Sequence, residues 1–168
     1  MEALTHSSFA NERHNKIKCN ERMEFLGDAV LSIISANYLF HRFPDMPEGD
    51  LSKLRSSLVC TQSLSDFARQ ISLGNFLFLG KGESNTGGAD RPSILENAFE
   101  ALIAAIYLDG GIEAARKHIL GQLTDTVNRI RETLNIIDCK TRLQEEIQKV
   151  SKEPLHYEII NEEGPDHN

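Results

Sequence analysis

Long apolar runs are missing from this 168-residue chain: none approaches the roughly 18 residues needed to cross a bilayer, and the N-terminus has no signal-peptide pattern. Neither a membrane partner nor export is therefore expected. Cysteine is scarce. Cys19, Cys60 and Cys139 are odd in number and far apart, with no C-x-x-C, which suits free thiols in a reducing cytoplasm better than disulfides or a zinc site. Basic residues are outnumbered, 18 Lys and Arg against 25 Asp and Glu, for a formal charge of −7. That balance weighs mildly against non-specific nucleic-acid binding, since neutralising phosphates takes cations. The histidines, His6, His41 and His118 among them, show no metal-ligand spacing and read mostly as surface or capping groups. The Gly-rich segment at 80–92 lacks the order of a phosphate-binding P-loop. No internal repeat is evident.

What is present is enough apolar residue, 40%, for a core of one domain, or of one domain with a small appendix. Helical periodicity runs through Met23–Leu39, Leu51–Leu58, Ser63–Ile71, Ile94–Leu108 and Ile112–Leu134. "FPDMPEGD" is a turn, with Asp50 the expected N-cap of the next helix; "GKGESNTGGADRP" reads as a mobile polar loop; "DGG" should close a helix at Gly110. Beyond Leu134 the character changes. "DCKTRLQEEIQKV" predicts a helix capped by Asp138, and "LHYEII" a strand facing one way with Leu155, Tyr157 and Ile159. One helix and one strand cannot bury both their apolar faces, so this tail reads as an incomplete module.

The stretch "ERMEFLGDAVLSIISANYL" places carboxylates in a segment otherwise suited to a core. At helical spacing Leu26, Ala29, Val30 and Ile33 form its apolar face, while Glu21, Glu24 and Asp28 share the opposite sector, roughly 60° wide. A solvated face is the bland explanation. Against it stand Ser32 and Ser35, small residues continuing that sector, and Gly27, which costs about 1 kcal/mol relative to Ala in mid-helix and so implies a packing demand. The natural partner is "SILENAFEALIAAIYLD", apolar around most of its circumference and interrupted only by Glu96, Asn97 and Glu100 along one stripe. Carboxylates buried there need a cation; Arg22 and Arg55 are the basic candidates, and a divalent metal is the other solution. Mg²⁺ takes oxygen ligands at about 2.0–2.1 Å. Glu24 and Asp28, four residues apart with Cβ atoms about 5–6 Å from each other, can converge on one ion. Glu21 lies roughly 10 Å of axial rise from Asp28 and belongs at the rim. The expected set is Glu24, Asp28 and Glu100 with Asn97 beside them; all-oxygen donors favour Mg²⁺, or Mn²⁺ in its place, over zinc.

"ERMEFLGDAVL" also closely resembles the signature of the ribonuclease III family of double-stranded-RNA endonucleases. "ALTHSSFANE", "FPDMPEGDLSKLRSSLV", "LGKGESNTGG" and "SILENAFEALIAAIYLDGG" resemble that family's further blocks, in order. "DCKTRLQEEIQK" with "HYEIINEEGPDH" is similar to the start of a double-stranded-RNA-binding domain. The resemblance implies a mainly α protein: an all-helical catalytic domain over residues 1–134, its first helix truncated, then an incomplete α+β RNA-binding domain over 138–168. It implies a cytoplasmic homodimer acting on double-stranded RNA in rRNA and mRNA precursor processing. The products would carry 5′-phosphate and 3′-hydroxyl ends with a short 3′ overhang. The family's catalytic, metal-binding acids fall on Glu24, Asp28 and Glu100, its second-tier acids on Glu21 and Glu48, and its dimer-interface aromatic on Phe25. Thr141, Gln144, Glu145 and His167 would touch RNA.

One departure stands out: the commonest family pattern has an aspartate three residues before Glu100, where this chain has Asn97. The carbonyl oxygen is kept and the charge lost, so weaker metal binding, not loss of activity, is expected. Two rival readings fit the residues less well. A carboxylate-bridged di-iron bundle needs Glu-x-x-His pairs, but Gly27 and Ile103 occupy those offsets. A dimer that binds duplex RNA without cutting it would gain nothing from clustered negative charge near phosphates.

Overall fold

The computed structural model describes residues 1–14 and 16–150, with side chains described as far as residue 128 apart from 125. The chain divides into two compact units, Met1–Val127 and Asn128–Asn168. The described residues form α1 (Ser7–Glu12), α2 (Glu21–Arg42), α3 (Glu48–Leu58), α4 (Thr61–Gln70), α5 (Lys81–Asn85) and α6 (Pro92–Val150), with 3₁₀ turns between some of them. No strand occurs among them; Thr5 and Phe78 make one isolated parallel bridge. The all-helical class expected for the catalytic domain is what is found.

α6 is the centre of the first unit. Its Leu95, Ala98, Phe99, Ala101, Ile103 and Ala104 are buried, as its near-continuous apolar circumference predicted. Leu31, Ile34 and Leu39 of α2, Leu58 of α3, and Leu64 and Phe67 of α4 are buried as well. The Phe67 and Phe99 rings sit 5.9 Å apart. α1 is fastened by polar contacts instead: Gly80 N donates to Ser8 Oγ at 2.9 Å and Lys81 N to Glu12 Oε1 at 2.6 Å. His6 caps α1 through its ring nitrogen, in the role foreseen for the histidines, whereas His118 is half-buried against Phe99 and is neither a cap nor a surface group.

Several sequence expectations need correction. The buried face of α2 is Gly27, Val30, Leu31, Ile34, Ser35 and Leu39; Ala29 is exposed and Ile33 is 60% exposed. The face expected from the sequence is rotated from the observed one because Ile33 and Leu26 are as hydrophobic as the core residues yet lie off the buried side. α3 starts at Glu48 behind Pro47, so Asp50 lies inside its first turn, pairing with Lys53 at 3.2 Å instead of capping. The Gly-rich segment folds into α5 and a 3₁₀ turn (Gly88–Asp90), tied down by Arg69 to Asp90 at 2.8 Å and by an ion pair of Arg91 with Glu83. The helical break after Leu108 falls at Gly111, not Gly110: only position 111 takes φ 73°, ψ −172°, a conformation open essentially to glycine. In length and composition α2 suffices to cross a membrane, contrary to the reading of its sequence. Its burial against α6 and its mid-helix acid mark it as a core helix.

In the second unit the backbone is helical to Val150 and runs through Asp138, which therefore caps nothing. The side chains of Thr141, Gln144 and Glu145 lie outside the described residues, as do His167 and the predicted strand at Leu155–Ile159.

Candidate active site

The contact that builds the site is between two backbones. A Cβ placed on Gly27 would overlap the carbonyl oxygen of Glu100, so α2 and α6 touch where only hydrogen can fit between them. The packing demand inferred from a mid-helix glycine is thereby located. Ser35, two turns further on, is fully buried and donates its Oγ hydrogen to the Leu31 carbonyl at 2.5 Å, which lets the helices stay close.

Side chains flanking such a contact are forced together. On α2, Glu24 and Asp28 stand three residues before Gly27 and one after it; on α6, Glu100 is the contact residue itself and Glu96 lies one turn before it. The electrostatics show that they share a field. Burial pushes the Glu100 carboxyl up to about 8, with the charges of Asp28, Glu96 and Glu24 adding to the rise. Glu24 is raised as well, by its own burial and then by Glu21 and Glu96. No cation relieves them: the ion pairs of the described residues lie elsewhere, and neither Arg22 nor Arg55 pairs with any of these acids.

The expected trio Glu24, Asp28 and Glu100 is thus brought together, with Glu21 at its edge. Asn97 is half-buried on the same helix, three residues before Glu100. Glu48 stands apart at the start of α3, exposed and accepting a hydrogen bond from Ser52 Oγ at 2.7 Å. Glu96 was noted in the sequence but not assigned to the site; its place one turn before Glu100 was the available signal. Phe25 lies outside the core, 80% exposed, beside Asp28 on the helical wheel.

Among the described residues no three Asp, Glu, His or Cys side chains are closed into a ready chelate. The donors fit a hard divalent ion in kind: carboxylate oxygens, one amide carbonyl, no thiolate or imidazole.

Comparison with known proteins shows the family to which both helices belong. The Ribonuclease-III-like family profile matches residues 1–127, the whole first unit, both acid-bearing helices included. The chain belongs to the ribonuclease III family. As a member it is a ribonuclease. Ribonuclease 3 of Caldanaerobacter subterraneus subsp. tengcongensis is 50% identical over 168 residues, covering all of this chain and 74% of its own length. Ribonuclease 3 of Bdellovibrio bacteriovorus is 47% identical, over 98% of this chain and 71% of its own length. The nuclease domain of the Campylobacter jejuni ribonuclease III superposes with a TM-score of 0.69 at 46% identity, covering 74% of this chain and 83% of that one.

Two predictions follow from the geometry. Gly27→Ala should lower stability by about 1–3 kcal/mol in urea unfolding and separate the acids, because backbone cannot yield as a side chain would. An unchanged midpoint would mean that the helices do not touch there. The second concerns pH. The Glu100 carboxyl is raised in the folded chain from 4.5 to about 8, so the folded state holds a proton that the unfolded state has released, and stability falls as pH rises through that window. In chelator, Glu100→Gln should match the parent's melting temperature near pH 4 and exceed it by pH 8–9. A difference independent of pH would contradict the assignment.

Proposed function

We infer that this chain is an endonuclease that hydrolyses double-stranded RNA, using Mg²⁺ (or Mn²⁺) held by Glu24, Asp28 and Glu100, with the Asn97 carbonyl as a further oxygen donor. The observation that carries the reading is the acid cluster, with Glu24 and Glu100 half-buried and Asp28 exposed beside them, which has no ion-pair partner among the described residues and sits on two helices whose backbones touch. Such an ion, when bound, supplies neutralisation of phosphate charge and activation of water. The chain's own part is to present the donors. Gly27 sets the depth of the site, Glu100 gives up its proton on taking up a cation, and Glu21 and Glu96 keep the local field negative enough to attract one. Glu48, on α3, is read as a second-tier acid acting from outside this cluster. Products with 5′-phosphate and 3′-hydroxyl ends and a short 3′ overhang belong to the same reading, as does a role in rRNA and mRNA precursor processing. Thr141, Gln144, Glu145 and His167 are read as further RNA contacts. A cytoplasmic setting, with no membrane partner, is in keeping with the free thiols of Cys19 and Cys60.

The homodimer belongs to this reading too. Phe25, Ala29, Ile33 and Phe40 fall within roughly 80° of one another on the helical wheel of α2, and all four are exposed, three of them large and apolar. Such a strip on a core helix calls for a partner. A two-fold dimer would match the local two-fold symmetry of a duplex, one site per strand. The Campylobacter jejuni nuclease domain is itself described in terms of a region involved in dimer formation.

The deciding experiment is incubation of the purified chain with a long RNA duplex at low salt with Mg²⁺, with Mn²⁺ or with chelator. Metal-dependent cutting to short duplexes bearing 5′-phosphates is expected, and Glu100→Gln should abolish it. Binding without cutting in both metals would favour the non-cleaving dimer. Separately, Phe25→Asp should convert the dimer to monomer in sedimentation analysis, and a parent chain that is monomeric at micromolar concentration would remove the dimer from the reading.

A further inference from the structure

Among the described residues the half-buried acids are Glu2, Glu24, Asp66, Glu83, Glu96 and Glu100. A carboxylate taken partly out of water calls for a counter-charge. Asp66 has Arg69 at 3.0 Å, and Glu83 is ion-paired with Arg91. Glu2 stands in the first 3₁₀ turn, beside the chain's amino terminus. The other three, Glu24, Glu96 and Glu100, have no ion pair among the described residues, and they flank one helix contact from both sides. Glu24 and Glu100 belong to the donor set inferred above. Glu96 is the one of the three outside it.

Helix geometry puts Glu96 where a further donor can act. Gly27 of α2 meets Glu100 of α6, and further along both chains Arg116 donates to Asn37 Oδ1 at 3.0 Å, so the two helices pass the contact in the same sense. Glu24 lies three residues before that contact and Glu96 four before it, roughly 4.5 and 6 Å of axial rise, so they stand at nearly one level across the helix pair. Around α6, Glu100 lies between the two polar residues of the preceding turn, with Glu96 about 40° to one side and Asn97 about 60° to the other. Both are half-buried, and either can bring an oxygen beside Glu100. Only Glu96 brings a charge. That charge acts on Glu24 across the contact and on Glu100 in its own helix, so its carboxylate is close to both.

We propose that Glu96 is a direct oxygen ligand of the divalent ion, a fourth carboxylate beside Glu24, Asp28 and Glu100 that compensates for the neutral amide of Asn97. This inference rests on the metal-dependent reading above and adds a contact to the field that Glu96 supplies there. A ligand and a nearby charge differ in what they demand of position. The pull of a charge falls only gradually with distance, whereas a ligand oxygen must reach about 2.0–2.1 Å from Mg²⁺. Shortening the side chain while keeping its charge therefore separates the two roles.

The test is calorimetric titration of the full chain with Mn²⁺ and with Mg²⁺, in the absence of RNA, with the melting temperature of each variant in chelator as the check that its fold is kept. Glu96→Gln should weaken binding by about tenfold or more. Glu96→Asp, which keeps the charge but draws the oxygens back by one methylene, should lose nearly as much. Asn97→Asp in the Glu96→Gln background should restore most of the affinity, since it returns a carboxylate to the same turn. Glu21→Gln, which removes a charge from the rim, should cost far less, and Asp109→Asn, at an exposed acid further along α6, should change nothing. Glu96→Asp binding as the parent does, or Glu96→Gln losing no more than Glu21→Gln, overturns the proposal; if Glu100→Gln still abolishes binding, the metal reading stands without Glu96. No recovery in the double variant overturns the compensation for Asn97. A folded parent chain that binds neither ion overturns the metal reading itself, and this inference with it.

Discussion

The backbone contact between Gly27 of α2 and Glu100 of α6 is the constraint on which the rest of the molecule turns. Helices meeting through side chains normally keep 8–10 Å between axes. Removing the side chain on one of them lets the backbones meet, and the residues either side of the contact are pressed into a common volume. Here those residues are acids. Their mutual repulsion and partial burial oppose folding, which is why Glu100 holds its proton to about pH 8. The opposing force is apolar: Phe99, Ile103 and Ala104 on α6, and Leu31 and Ile34 on α2, are buried around the same contact. Burial of such side chains is worth roughly 1.5–3 kcal/mol each for the large ones, enough to hold a strained electrostatic arrangement in place.

α2 consequently carries different chemistry on different sides over the same few turns. One side packs on α6. The next presents Glu21, Glu24 and Asp28. Beyond it lies the exposed strip of Phe25, Ala29 and Ile33, and before its first residue stands the unpaired basic segment from Arg13 to Lys18. Placing all of them around the start of one rigid helix fixes their mutual distances with few residues.

How far this was legible in the sequence depended on whether a residue's signal was local. Glu24, Asp28 and Glu100 were found because acids at helical spacing inside apolar helices conflict with burial, and conflict is visible in one dimension. Gly27 was found for the same reason. The apolar face of α2 is misplaced in the sequence because hydrophobicity does not distinguish a buried residue such as Ile34 from an exposed one such as Ile33. Gly110 and Gly111 are adjacent and chemically identical, so the choice of breaking point lay in φ and ψ, which only the folded backbone shows. Order in the Gly-rich segment depends on Arg69 reaching Asp90 across 21 positions, beyond any local pattern. The grooves beside α1 depend likewise on Phe78 coming back to Phe9, whose rings lie 5.6 Å apart.

Asn97 can be understood in the same terms. Burial, with the charges of Asp28, Glu96 and Glu24, already raises the protonation of Glu100, and burial with Glu21 and Glu96 raises that of Glu24. An aspartate at 97, one residue from Glu96 and three from Glu100, would add a further like charge to a region with no compensating ion pair. Asparagine keeps an oxygen donor at that place and lowers the repulsion the fold must withstand without a cation. If the cluster holds a divalent ion as proposed, the cost would fall on the bound state, where one less negative charge would attract the ion less strongly. Stability of the empty site and affinity of the filled one would then be set against each other at this position, with the amide shifting the balance towards the empty chain.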